Sequence, residues 1–295
     1  MIIYILTIFK SLAHHSKRFI KTLIPVLMLY SCTERIDLEL DTTYTRLVVE
    51  GAITTDTGIH RVSLSTSTDF YNQNAPPVVS RAVVTISDGD ITWPLAENPV
   101  GSGIYETTNG VHGIEGRMYM LSISLNQPIG GSSTYKASCA IRATTQPDSI
   151  QVVYQPQWGP GFWEVKLFAQ DPPTDDFYKF LVYKNKVLLT DTLNKVIVRD
   201  DRLFNGKYTN GIGVGYLDSR NPREQVLPGD TITLMMANLT EDYAGFIWTA
   251  RTQSGFNSPL FSGPPANIKG NITNGAIGFF AAYQSRYVSM VYQAQ

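Results

Sequence analysis

Acid–base chemistry in this chain would have to come from carboxylates, because histidine is scarce and the motifs that usually recruit it are missing. Adjacent acids occur as Asp175 and Asp176, Asp200 and Asp201, and Glu241 and Asp242. Two carboxylates can cleave a glycosidic bond when they face each other across about 5–10 Å. Neighbours in a strand or turn point apart, so loop solvation or helix capping is the simpler expectation for each pair. Of the four histidines, His60 and His112 lie beyond the N-terminal segment, neither has metal-ligand spacing, and both are expected as exposed structural residues. HExxH and G-x-S-x-G do not occur, so neither a zinc hydrolase nor a nucleophile elbow is signalled. "GIGVG" (211–215) lacks the following helix and the lysine of a phosphate loop, and is expected as a flexible strand or loop. "SDGD" (87–90) offers two aspartates where calcium takes about six to eight oxygens, and fits a hairpin turn better. These residues imply no metal, no cofactor and no catalytic group.

The two cysteines differ in kind. In "TYKASCAI", Tyr135, Ala137, Cys139 and Ile141 fall on one face of an expected strand, which makes Cys139 a small core residue. Cys32 instead closes "KTLIPVLMLYSC", where the apolar run Leu23 to Tyr30 follows Lys17, Arg18 and Lys21 in the order of a secretory signal. The run is too short to span a bilayer, which takes about 20 residues. Leu29-Tyr30-Ser31-Cys32 resembles the lipobox of bacterial lipoproteins, in which the signal is cut before the cysteine and the cysteine receives the lipid; Tyr30 departs from the small residue usual there. The resemblance implies a signal peptide at residues 1–31 and lipidation at Cys32. A chain starting at Cys32 loses Lys10, Lys17, Arg18 and Lys21 from the 24 basic residues and none of the 25 acidic ones, leaving a net charge of −5. That balance argues against nucleic acid as a partner.

The elements that would position any site are strands. After a polar tether (32–45), period-two alternation broken by turn residues predicts strands at 47–53, 61–65, 82–87, 91–95, 103–107, 118–123 and 135–141. Such spacing suggests an immunoglobulin-like β-sandwich over residues 46–146. The Pro and polar cluster in "ATTQPDSIQ" marks a boundary, and residues 147–295 are expected to form a second β-rich domain, also a sandwich. Its strands are expected from Gln151 and at 163–170, 177–189, 195–199, 231–237 and 276–283. One helix is expected over 241–253, capped by Asn238 or Thr240 and ended by Gly255. The expected fold class is therefore all-β, two sandwiches with one packed helix. Aromatic residues number 7 between positions 33 and 146 and 22 from 147 onward, which favours the second half as the binding surface. In "QPQWGPGFWEV", Trp158, Phe162 and Trp163 gather beside Gly and Pro in an expected loop, where flat rings could meet a ligand or a partner.

"RLVVEGAI", "DPPTDDFYKFLVY", "DDRLFNGK", "LPGDTITL" and "PPANIKGNITNGAIGFFAAY" occur in an order similar to that of the Bacteroidota outer-membrane lipoproteins grouped as domain-of-unknown-function family 4249. The resemblance runs from about Cys32 to the last strand. It implies a lipid-anchored β-rich envelope protein beside a TonB-dependent outer-membrane transporter, and it supplies no catalytic residues. The function expected is thus that of a non-enzymatic accessory that binds a ligand or partner during nutrient uptake. A structural or adhesive surface lipoprotein is the alternative, followed by an enzyme with an unrecognised site.

Overall fold

In the computed structural model, residues 45–68, 74–156, 159–254 and 268–293 are described. They belong to one compact unit, Thr43–Gln295, and Cys32 lies outside them. The architecture is all-β. Strands β1 (Leu47–Thr54), β2 (Arg61–Thr66), β3 (Val83–Ser87), β4 (Thr92–Glu97), β5 (Ile104–Glu106), β6 (Met118–Ile129) and β7 (Ser132–Ala140) form the first half. The second half holds β8 (Ser149–Gln155), β9 (Phe162–Phe168), β10 (Phe177–Lys184), β11 (Val187–Leu188), β12 (Ile197–Asp200), β13 (Ile212–Asp218), β14 (Thr231–Leu239), helix α1 (Glu241–Ser254) and β15 (Ile277–Val291).

Alternation sets the first core. Leu47, Val49 and Ile53 of β1 point inward with Tyr119 and Leu121 of β6 and with Phe280 of β15, each burial of a large apolar side chain contributing about 1.5–3 kcal/mol. The sheet order β15-β1-β2-β5-β4-β3-β6-β7 curls on itself, and Cys139 of β7 comes within 3.8 Å of Ala282 O. Cys139 is a buried free thiol, and burial pushes its pKa up, away from nucleophilic use. His60 is buried rather than exposed, with Nε2 3.0 Å from Val111 O, and burial lowers its pKa. The "SDGD" turn needs no ion: Asp88 Oδ1 accepts from the Asp90 and Ile91 N–H groups, and Arg117 bridges Asp88 and Asp90.

The second core lies between the sheet β13-β9-β8 and the inner face of β10, β14 and the end of β15. Side-chain cores change over near residue 146, while the backbone does not separate there. β15 pairs in parallel with β1 through Ile277–Tyr283 and antiparallel with β14 through Gln284–Val291, so one strand serves both sandwiches. On the outer face of β10 and β14 sits α1. Thr240 is its cap, its carbonyl accepting from the Tyr243 and Ala244 N–H groups, whereas Asn238 lies inside β14. Tyr243 and Phe246 stack around Phe279, and the buried Lys179 ammonium stands 3.8 Å above the Tyr283 ring, a cation–π contact that stands in for a carboxylate partner.

Candidate functional site: a groove between two strand edges

The second sandwich leaves two strand edges facing one groove. Among the described residues β12 pairs with β10 alone and β13 with β9 alone. Three contiguous hollows of about 400, 450 and 480 Å³ run along these edges, and Tyr216 lines all three. The ring reaches the surface because Val214 and Leu217 of β13 turn into the core and a bulge falls between Gly213 and Gly215. Gly213 clears its path, since a Cβ there would stand 2.6 Å from the Tyr216 hydroxyl. The glycines of "GIGVG" therefore build a strand that packs closely.

Strand alternation divides the expected aromatic patch. Phe162 opens β9 on its outward face, edge-on to Tyr216 at 5.7 Å, and lines the groove. Trp163 takes the opposite face, half-buried against the second core between Tyr154 (4.8 Å) and Tyr292 (5.1 Å). Neither lies in a loop, and the two do not share a surface; Trp158 lies outside the described residues. Trp248 of α1 completes the apolar wall while its Nε1–H donates to Val198 O at 3.1 Å.

The groove is also charged. Each of its carboxylates has a cation partner: Asp200 with Arg202 (2.9 Å), Asp218 with Arg220 (2.8 Å) and Glu224 with Lys195 (2.8 Å), a lysine shared with Asp191 at 3.2 Å. The hydrogen bond from Lys195 to Glu224 holds the lysine pKa above its usual value. Two guanidiniums remain. Among the described residues, Arg199, exposed on β12, has no side-chain partner, and Arg251 reaches only the Asn194 carbonyl at 3.4 Å. Both line the first hollow with Lys195, and no carboxylate lines it.

Behind the groove, the adjacent acids separate as expected, but their inner members are not solvated. Asp176 and Asp201 are buried and meet Asp171, with one carboxylate oxygen from each within 4.8 Å of the others. A hard divalent cation could bridge such oxygens, yet protein donors already engage them. Asp176 Oδ1 accepts from Arg142 and Asn238, both at 2.7 Å, and its Oδ2 accepts from Thr174 at 2.7 Å. Asp171 accepts from Tyr178 OH (2.8 Å) and Gly206 N–H (3.1 Å), and Asp201 from Asp176 N–H (3.0 Å). The network ties the turn carrying Leu203 and Phe204, one wall of the groove, to the start of β10.

Burial pushes the Asp171 carboxyl up to about 6, against the pull of its Tyr178 and Gly206 bonds, with the charges of Asp201 and Asp176 adding to the rise. A folded-state pKa above the unfolded one favours the protonated form. The corresponding stability is complete below about pH 4 and is lost as pH rises through about 6. Urea unfolding from pH 4 to pH 8 should show the wild type losing about 2 kcal/mol relative to Asp171→Asn; parallel pH profiles for the two would refute the assignment.

Fold and groove together define an all-β sandwich protein with an open, aromatic and partly cationic surface cleft. The chain belongs to the family described as Domain of unknown function (DUF4249), which matches residues 33–287. Among solved structures, it is similar to a Bacteroides uniformis ATCC 8492 protein described as a "putative carbohydrate binding protein", with 8% identity, 83% of this chain and 98% of that chain covered, and a TM-score of 0.21. No curated protein matches.

Proposed function

We propose that the protein is a non-enzymatic, lipid-anchored accessory of the bacterial outer membrane, which binds a ligand or partner beside a TonB-dependent nutrient transporter. The reading is carried by one observation: contiguous hollows in the aromatic-rich half converge on the exposed ring of Tyr216, with Phe162 and Trp248 on their walls. Concave sites that combine apolar rings with a few polar groups are the usual form of a binding site. Cys32, after Leu29 and Ser31, supports the anchor. The two or three acyl chains of such an anchor hold a membrane stably where a single chain does not.

A mild-detergent pull-down of the tagged full chain from native membranes tests both parts. Wild type is expected in the membrane fraction with a TonB-dependent barrel. Cys32→Ala is expected to leave the membrane. Tyr216→Ala should stay anchored, keep its melting temperature within about 2 °C because the side chain is 44% exposed, and lose most of the barrel. Firm membrane retention of Cys32→Ala would remove the anchor, and undiminished recovery by Tyr216→Ala would remove the groove.

A further inference from the structure

Two cations of the groove share one support. Trp248 ties α1 to β12 through its Nε1–H bond to Val198 O at 3.1 Å. Arg199 is the next residue along β12, and Arg251 stands about one turn beyond Trp248 on the same face of α1. That bond therefore holds the stems of both arginines beside the first hollow, of about 400 Å³, which Lys195, Ile197 and Tyr216 also line. Neither guanidinium is matched by a carboxylate. Among the described residues Arg199 meets no acceptor, and Arg251 meets the Asn194 carbonyl alone, at 3.4 Å. Lys195, by contrast, is engaged by Glu224 and Asp191. Like charges gathered without a counter-charge repel one another, and an anion from outside relieves that repulsion.

Resting on the reading of this groove as a binding site, we propose that its ligand is an acidic oligosaccharide whose carboxylate docks on Arg199 and Arg251 in the first hollow. A guanidinium binds a carboxylate through two parallel N–H···O bonds. The two further hollows take the neutral remainder of the ligand. Their carboxylates are met by Arg202, Arg220 and Lys195, so donors and acceptors stand in balance there. Sugar hydroxyls suit such a lining, since each both donates and accepts. Tyr216, Phe162 and Trp248 add flat apolar surfaces for the C–H face of a sugar ring. An extended peptide fits less well, because it would need main-chain partners on β13. There Val214, Gly215 and Leu217 are buried, a bulge falls between Gly213 and Gly215, and the Asp218 N–H already donates to Glu224 Oε2 at 2.8 Å. A small inorganic anion would meet the guanidiniums and leave the rings uncovered.

The test is a glycan array of neutral oligosaccharides and uronic-acid-containing counterparts of equal length, probed with the detergent-solubilised full chain and followed by titration of the strongest binder. Acidic glycans are expected to bind at least about tenfold more tightly than their neutral counterparts. Methyl esterification of the carboxylate should remove that advantage, and Arg199→Ala should remove it at unchanged melting temperature, since the side chain is exposed. Arg251→Ala should act in the same direction, and Tyr216→Ala should weaken acidic and neutral glycans alike. Equal binding of both classes that still depends on Tyr216 would overturn this proposal and leave the groove as a binding site. Acidic binding indifferent to Arg199, Arg251 and Tyr216 would overturn both. If the array stays silent the saccharide falls, and recovery of the barrel by Tyr216→Ala then decides the groove on its own.

Discussion

Asp176→Ala is expected to lower the free energy of unfolding by about 3–5 kcal/mol, the range typical of breaking one side of a buried ionic network. The carboxylate holds Arg142, Asn238 and Thr174, with Tyr178 OH 3.4 Å away. Its loss leaves the buried Asn238 amide one acceptor short and the Arg142 guanidinium uncompensated, which costs more than the bonds themselves. The exposed neighbour Asp175, whose side chain accepts from Asn205 at 3.1 Å, provides the control, with about 0.5 kcal/mol expected for its alanine variant. Chemical denaturation of both variants decides it. A loss below about 1 kcal/mol for Asp176→Ala would mean that the acids are spectators.

Gly278→Ala should be about as damaging. Gly278 has φ +108 and sits opposite Val49 in the parallel β1–β15 register, where an added Cβ would collide with Val49 O. Since that atom belongs to the backbone of a central strand, relief requires moving β1 or β15. About 3 kcal/mol or more is expected, which is a fall of roughly 6–12 °C in melting temperature for a chain of this size. Gly89, at φ +97 in an open turn with nothing within 4 Å of its Cβ position, isolates the conformational part, and its alanine variant should lose only about 1 kcal/mol. Equal losses for the two would show that the collision at Val49 is readily relieved.

Much of the fold can be read from alternation, and the exceptions have physical causes. All seven strands of the first sandwich form at the positions the period-two pattern marks, because one face of each is covered and the other wet; β6 runs six residues further, to Ile129, and β7 starts three earlier, at Ser132. β10 and β11 were expected as one strand over 177–189. The break falls at Asn185 and Lys186, both at positive φ, a hairpin turn without the Asn-Gly signature that announces one. β15 was expected to stop at Tyr283 but continues to Val291, because Gln284 and Ser285 are buried polar residues at the passage between sheets and interrupt the alternation. There Gln284 Oε1 accepts from Thr144 N–H at 2.7 Å.

The site was less legible. Phe162 could be singled out from its neighbourhood of rings, Gly and Pro. Tyr216, Arg199 and Arg251 could not, because their groove is assembled from β12, β13 and α1, and nothing local in the chain marks them as neighbours. The acidic network joins Asp171, Asp176 and Asp201 from separate segments, so no adjacent pair reveals it. "DPPTDD" holds the missed signal: two prolines bend the chain between Asp171 and Asp176 and bring both toward Tyr178.

The shared strand has a mechanical meaning. β1 and β15 run in the same direction, register pairs join Val48–Thr54 to Ile277–Tyr283, and β15 then continues into the second sandwich. Tension between the chain ahead of β1 and the second sandwich pulls the two strands in opposite senses along their common axis. Every hydrogen bond of that ladder is then loaded together, in shear, instead of being peeled one after another. Such a join yields only when the whole ladder fails at once, so traction applied ahead of β1 reaches the groove-bearing half through a seam that resists as one piece.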